Sequence, residues 1–553
     1  LKNVTKVSFR ADIQALRALA VISVVFFHFW PSLLTGGFIG VDVFFVISGF
    51  LITSHILRDV ELDRFSVIKF WARRARRLLP ASFTTLAVVL LVVICFVPIS
   101  LWEQWLNEVI SSVFYFENWK LAADSVDYLA LSNSASPTQH FWSLGVEEQF
   151  YLVWPILVAI ALFITRSAMK NIGRRTILLF FVVVTVLSLG YGIYETAVEP
   201  AVAYFSTPVR AWEFGAGALV AFAPTLKSKV LKSYLTSIGF VLILVSSITF
   251  NTNLAFPGYA ALLPVLGTAL VIAGELTEGS IAKLLALRPI QRIGDYSYSI
   301  YLWHWPVLIL APFVLHRDTL STSWKLVLLI GTFVIAYLSS RFIERPLMSG
   351  GWKPNLKPRW VFAFILVFST LISGSSYLAL KQSLNPINEN IKVSNQLAST
   401  LPDCLGALSL LSSGDCVNPD LKGFYPSLDA APTDAFFAKT KCKHLWGKEW
   451  KPVRCPIGVA NSKVRIAMVG DSHIAHYTGA IKLLAKIHNW TVDVYAKGAC
   501  PLTNAITIGN LVLDESCQKW IPAAAKDIIA GHYDIIMTSR ESIDESTNPL
   551  TQA

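Results

Sequence analysis

The sequence predicts an α-helical polytopic membrane domain of about ten helices plus one linking helix, followed by an extracytoplasmic α/β domain. Three observations predict it. Of 553 residues, 54% are hydrophobic and 15% charged, an imbalance that a water-soluble chain of this length does not carry. About eleven apolar runs of roughly 16–22 residues follow one another. Beyond Lys381 the chain turns polar, and every cysteine except Cys95 lies in that tail.

The runs centre near Val24, Phe45, Val89, Pro155, Val184, Gly215, Val241, Val265, Leu308, Phe333 and Ile365. Their flanks orient them. Arg58, Arg64, Lys69, Arg73, Arg74, Arg76 and Arg77 follow the second run, and Arg166, Lys170, Arg174 and Arg175 the fourth. Lys227, Lys229 and Lys232 follow the sixth; Arg341, Arg345, Lys353, Lys357 and Arg359 follow the tenth. The alternate loops carry Glu103, Glu108, Glu117, Asp124 and Asp127, then Glu195 and Glu199. Basic loops stay in the cytoplasm, so the N-terminus is expected inside and everything after about Leu380 outside. The net charge of +11 therefore reads as topology and argues against nucleic acid as partner. The first run holds Arg17 and His28 and leads straight into the second, so no removable signal peptide is expected.

The expected boundaries are a transmembrane domain over residues 9–346, a linking helix over 359–380, a polar linker over 381–462 and an α/β domain over 463–553. Within the last, Val464–Val469, Val492–Ala496 and Ile535–Thr538 read as strands, and Ile474–Ile487 and Ile521–Ile529 as helices. Cys404, Cys416, Cys442, Cys455, Cys500 and Cys517 form an even set confined to the expected exterior, which predicts disulfides. Pairing by sequence neighbours (404–416, 442–455, 500–517) is the expected choice among the fifteen connectivities. Zinc is the alternative, but no C-x-x-C spacing is present, and neither a metal nor a resident cofactor is expected.

Ionisable groups inside spans are costly and face polar interiors. Arg17 and His28, eleven residues apart, return to nearly the same helix face about 16 Å apart along the axis. Asp42 in the second span is expected at the depth of His28, because the turn between the two helices lies near Thr35. A carboxylate there would set the imidazole's tautomer; a structural hydrogen bond between helices is the alternative. Arg73, Arg74, Arg76 and Arg77 present guanidinium forks suited to phosphates, or serve only as a topological signal. Glu147, Glu148, Arg210, Glu213 and His304 mark a polar interior of the kind found in membrane enzymes and transporters. In the tail, a strand runs into Gly470-Asp471-Ser472-His473. That context exposes a serine hydroxyl beside helix amides, with the Gly498 N–H as a second oxyanion donor; a helix N-cap is the alternative.

These segments together resemble acyltransferase family 3 membrane proteins fused to an SGNH-type domain, as in bacterial O-antigen acetyltransferases. The resemblance is carried by FRADIQALRALAVISVVFFH, GGFIGVDVFFVISGFLIT, RRARRLLP, FWSLGVEEQFYLVWP, YFSTPVRAWEFGAGAL, YSYSIYLWHWP and FIERP, in family order, and in the tail by GDSH at 470–473 and KGACP at 497–501. It implies a cytoplasmic acetyl-CoA donor, used as substrate and handled by Arg17 and the arginines of RRARR. It assigns importance to His28, which together with the reading of the residues above makes His28 the expected base, Asp42 its orienter and Ser472 the nucleophile. It further implies a periplasmic SGNH-hydrolase-like fold for the tail, a bacterial inner-membrane location, and a lipopolysaccharide O-antigen or other lipid-linked glycan as acceptor. A transporter or flippase with a periplasmic binding module, or an acetyl-esterase tail, are the alternatives. Two features depart from the family. Ser539-Arg540-Glu541 supplies no oxyanion asparagine, and no Asp-x-x-His precedes Ala553, so the SGNH domain is expected to be C-terminally truncated and its triad incomplete.

Overall fold

A computed structural model describes residues 10–125, 134–164, 170–348, 357–400, 418, 450–498, 500, 502, 507–508, 511–512 and 515–539. The chain forms two compact units, Leu1–Gln382 and Ser383–Ala553.

Each of the eleven apolar runs is helical in the first unit. They form α1 (Ala11–Phe29), α2 (Gly40–Glu61), α3 (Val67–Phe96), α6 (Phe141–Ile164), α7 (Lys170–Val198), α9 (Thr207–Val220), α10 (Lys229–Thr249), α11 (Leu262–Gly274), α13 (Arg288–Val314), α14 (Thr322–Ser339) and α16 (Pro358–Thr400). Short helices α4 (Trp102–Val113) and α5 (Glu117–Asp124) join α3 to α6; α8 (Pro200–Phe205), α12 (Ser280–Leu285) and α15 (Arg345–Met348) complete the set.

Among the described residues, eight helices are long and apolar enough to cross a bilayer. α13, at 27 residues, is long enough but falls short in apolar character, and α9 and α11 are too short, with 14 and 13 residues. At 1.5 Å per residue each rises about 20 Å, short of a hydrocarbon core of about 30 Å. The expected full-length spans at Gly215 and Val265 are thus replaced by short helices packed against α2 and α10. Glycine makes the α2–α9 approach possible: a Cβ on Gly49 would collide with the Phe214 carbonyl, and one on Gly217 with that of Val46. Leu187, Ile248, Ile330 and Leu366 point outward from α7, α10, α14 and α16, a lipid-facing ring.

α1 and α13 pack in parallel: Gln291 donates to the Ala11 carbonyl at 2.9 Å, Gln14 to Asp295 at 2.6 Å, and His28 meets His304 further along. The linking helix differs from expectation, since α16 continues to Thr400 rather than ending near Leu380.

The second unit holds a four-stranded sheet ordered β1-β3-β2-β6, from β1 (Cys455–Gly458), β2 (Val464–Gly470), β3 (Trp490–Ala496) and β6 (Ile535–Ser539); β4 (Thr507–Ile508) and β5 (Leu511–Val512) pair separately. β3, β2 and β6 are parallel, and β1 is an antiparallel edge strand inside the stretch expected to be linker. The helices are α17 (Ser472–His476), α18 (Thr478–Ile487) and α19 (Glu515–Ala530). Ile481 and Ala485 of α18 cluster with Ile466, Met468, Val492 and Val494, whereas Trp520, Ile521 and Ala524 of α19 cluster with Ala467, Val469 and Tyr495. Alternate strand residues thus face opposite helix layers, as in an α/β sheet covered on both sides. Cys500 and Cys517 are disulfide-bonded, as sequence neighbours suggested, and Cys455 is bonded as well. Cys404, Cys416, Cys442 and residues 540–553, where Asp-x-x-His was sought, lie outside the described residues.

Candidate functional site

The arginine end of the membrane unit is built where α2 ends and α3 begins. Ser66 caps α3, its hydroxyl accepting from the Lys69 N–H, and the helix then carries Arg73, Arg74 and Arg77 past the C-terminus of α2. The resulting cavity, of about 560 Å3, is lined by His55, Arg58, Asp59, Arg64, Lys69, Phe70, Arg73, Arg74 and Arg77. Its described lining sets six cations against one carboxylate. Asp59 accepts from Arg64 and Arg73, each at 2.8 Å. A concave surface of one sign concentrates anions, and guanidinium forks match phosphate oxygens.

Arg74 and Arg77 also line a second, narrower cavity of about 90 Å3 that runs into the bundle, with Arg17, Ser48, Glu147, Tyr151, Tyr298 and Tyr301. Arg74 lies over the Tyr151 ring, 4.8 Å from its centroid. Glu147 accepts from Ser48 and Tyr151 hydroxyls. Arg17 donates to Gln14 at 3.1 Å, and the buried Nε of Arg77 has no partner among the described residues. Arg17, Arg74, Arg77 and Glu147 are therefore brought together. Arg76 and Glu148, both half-buried, line neither cavity.

At the other end of α1 stands a histidine cluster. His304 Nδ1 lies 2.6 Å from the Tyr301 carbonyl oxygen, which can only accept. With both rings neutral, the proton of His304 is therefore on Nδ1, and its Nε2 accepts from His28 Nδ1 at 2.9 Å. That assignment leaves the His28 Nε2 lone pair free to take a proton. The two rings stack at 8° with centroids 5.1 Å apart, and the Trp305 ring lies 4.5 Å from that of His28. A third histidine, His140, was missed in the sequence although it immediately precedes FWSLGVEEQFY. Its ring is 5.6 Å from that of His304, its Nε2 meets the Leu302 carbonyl at 3.2 Å, and its buried Nδ1 has no partner among the described residues.

Asp42 does not orient His28; His304 holds that place. Asp42 is instead bound to Arg210 at 2.9 Å, and Arg210 to Glu213 at 2.9 Å, all three almost fully buried. Trp142, Tyr204 and Phe256 rings surround the guanidinium at 5.1–5.6 Å. In a low dielectric a carboxylate gains far more from a full positive charge than from a neutral imidazole. The trio ties α2 to α9 and lies apart from the histidines.

In the second unit Asp471 caps α17, its Oδ1 accepting from the His473 N–H at 2.9 Å, and His473 Nδ1 stands 3.2 Å from the same oxygen. Ser472 is the first residue of α17, half-buried. Gly470 pairs with Ala496, and the Lys497 N–H donates to the Gly470 carbonyl at 3.1 Å, which brings the Gly498 loop beside the Ser472 turn. The chain leaves β2 for a helix on one face and β3 for a helix on the other. A crevice opens at the carboxyl ends of such neighbouring strands, and Ser472 and Gly498 flank it.

These features place the chain among polytopic membrane proteins with an arginine-lined polar interior. More particularly, it belongs to the acyltransferase-3 family: residues 10–378 match that acyltransferase domain, and residues 441–549 match the SGNH domain that is fused to acyltransferase-3 domains. The chain is 32% identical over 370 residues to the peptidoglycan O-acetyltransferase OatA of Listeria monocytogenes, covering 64% of this chain and 58% of the relative. It is likewise 32% identical over 353 residues to the O-acetyltransferase OatA of Staphylococcus aureus, covering 62% and 57%. The matched region thus spans less than three fifths of either relative. No solved structure matches the chain.

Proposed function

We propose that the protein is a membrane O-acetyltransferase that moves acetyl from cytoplasmic acetyl-CoA to a sugar hydroxyl of an extracytoplasmic cell-envelope glycan. The observation that carries this reading is the sharing of Arg74 and Arg77 between the wide basic cavity and the narrow one, with the histidine pair at the far end of α1. The donor's phosphates sit in the wide cavity, and its slender thioester arm enters the narrow one. The oxygen of a first acceptor hydroxyl bonds to the acyl carbon and the carbon–sulfur bond breaks. The hydroxyl proton passes to His28 Nε2 and on to the departing thiolate, which leaves as coenzyme A. His304 Nε2 holds His28 through Nδ1–H, so the imidazolium forms without reorientation.

Ser472 completes delivery to the polymer once a general base takes its proton: its oxygen bonds to the acyl carbon as the first acceptor's hydroxyl departs, and the serine ester then breaks as a polymer hydroxyl takes the acetyl and frees Ser472, with the Gly498 N–H at the oxyanion. The relatives named for peptidoglycan support that polymer as final acceptor; O-antigen is the other glycan the sequence suggested. The basic-loop pattern supports a cytoplasmic N-terminus and an SGNH unit outside the bacterial inner membrane. Proteoliposomes holding the full chain and radiolabelled acetyl-CoA test the reading. Acetyl-CoA consumption that depends on His28 is expected; a protein that never consumes the thioester is a transporter, and the reading fails.

A further inference from the structure

The cations of the wide cavity are not equivalent. Arg74 and Arg77 line both cavities, so they stand at the junction between them. Arg64 and Arg73 line the wide cavity but not the narrow one, and they share a carboxylate, Asp59. Asp59 Oδ1 accepts from Arg64 Nε and Oδ2 from Arg73, both at 2.8 Å. The turn between α2 and α3 closes on the same residue, since the Arg64 backbone N–H donates to the Asp59 carbonyl at 2.9 Å. Asp59 is buried, whereas more than half of each arginine side chain is exposed. One edge of each guanidinium is thus fixed by the carboxylate while the rest stays open to the cavity.

That division matches the covalent layout of coenzyme A. The thioester arm leaves from the pyrophosphate, so an arm in the narrow cavity holds the pyrophosphate at its mouth, beside Arg74 and Arg77. The 3′-phosphate hangs from the ribose, on the far side of the pyrophosphate from the arm. It is a terminal monoester with about −1.5 to −2 charges at pH 7 and three free oxygens. Two guanidinium forks tied to one carboxylate can take those oxygens together. The carboxylate also orders both side chains before the phosphate arrives, which removes part of the entropy that free arginines would lose on binding.

We propose that Arg64 and Arg73, fixed by Asp59, form a subsite for the donor's 3′-phosphate, separate from the arginines at the junction. The proposal rests on the acetyl-CoA reading and deepens it. Arg64 becomes a binding residue and Asp59 a positioning residue, and the cavity discriminates coenzyme A from its 3′-dephospho form.

The test titrates detergent-purified full chain calorimetrically with coenzyme A and with 3′-dephospho-coenzyme A. The wild type is expected to bind coenzyme A about tenfold or more tighter, the effect of charge-assisted hydrogen bonds to one phosphate. Arg64→Gln and Asp59→Asn should each erase most of that difference by weakening coenzyme A, with the dephospho form bound no more weakly than before. Arg77→Gln should weaken both ligands alike. The sign at Asp59 separates positioning from charge. Removing a negative charge from a basic cavity tightens anion binding by Coulomb attraction alone, so weaker coenzyme A binding in Asp59→Asn requires the loss of arginine positioning. Arg64 is exposed, so Arg64→Gln keeps the test open even if Asp59→Asn fails to fold, which thermal melts show. Equal affinity of the wild type for the two ligands overturns the proposal. So does tighter coenzyme A binding by Asp59→Asn, or an equal loss for both ligands in Arg64→Gln. Those outcomes leave the donor reading standing; binding of neither ligand overturns that reading and the subsite with it.

Discussion

Nε2 of His304 stands 2.9 Å from Nδ1 of His28, with the rings stacked 8° from parallel. A histidine whose own proton is committed to the Tyr301 carbonyl thereby sets the tautomer of the proposed base, a task more often given to a carboxylate.

Replacing His28 with Ala is expected to abolish acetyl transfer at normal membrane abundance. His304→Ala should lower it about 100-fold or more, because the base loses its orientation. His304→Gln, whose carbonyl can accept from Nδ1, should recover part of the rate. Proteoliposome rates normalised to folded protein measure all three; full activity in His304→Ala would remove the histidine pair from the mechanism.

The arginines are not equivalent. Arg77→Gln is expected to raise KM for acetyl-CoA about tenfold or more, since a charge-assisted hydrogen bond contributes about 1.5–3 kcal/mol. Arg77→Lys should recover only part, because lysine lacks the bidentate fork. Arg76 lines neither cavity, so Arg76→Gln should stay near wild type. Equal effects at both positions would leave only a topological role.

Asp42 belongs to a buried cluster in which one guanidinium meets two carboxylates. Asp42→Asn leaves a neutral Arg210–Glu213 pair and should fold and transfer acetyl. Arg210→Leu strands both carboxylates and should cost about 3–5 kcal/mol. Thermal melts of the purified proteins decide this, and an inactive but stable Asp42→Asn would restore Asp42 to the chemistry.

Glu117, on the short helix α5 outside the spans, is raised well above the ordinary carboxyl range, first by burial and then by the neighbouring Glu108. Its folded-state pKa exceeds the unfolded one, so its protonated form favours folding in acid. That advantage is lost as pH rises towards the raised value. Glu117→Gln cannot ionise and should melt above wild type at about pH 8, converging with it at about pH 4. A constant difference across the range would show that the carboxyl does not titrate with folding.

In a protein whose SGNH triad is complete, Ser472→Ala should remove acetyl from the polymer while leaving acetyl-CoA binding intact. Glycan acetate measured by mass spectrometry and donor binding measured on the same protein separate the two. Undiminished glycan acetylation would assign the serine to capping alone, the role Asp471 already fills for α17.

The sequence by itself determined the two-part architecture and the eleven helices. Long apolar runs must satisfy their backbone internally in lipid, so their helical state is written locally. It also determined the strand-turn-helix around Ser472, because period-2 and period-3.6 patterns abut there. The tertiary structure alone decided who meets whom. His28 and His304 are 276 residues apart, and Asp42 and Arg210 are 168 apart. Equal depth made Asp42 a plausible neighbour of His28, but the rotation of each helix about its axis is set by packing. Gly49 and Gly217 let α9 press against α2, and that contact delivers Arg210 to Asp42. With the carboxylate engaged there, the neighbour of His28 is a histidine from α13, a pairing that only side-chain packing between helices remote in sequence could decide.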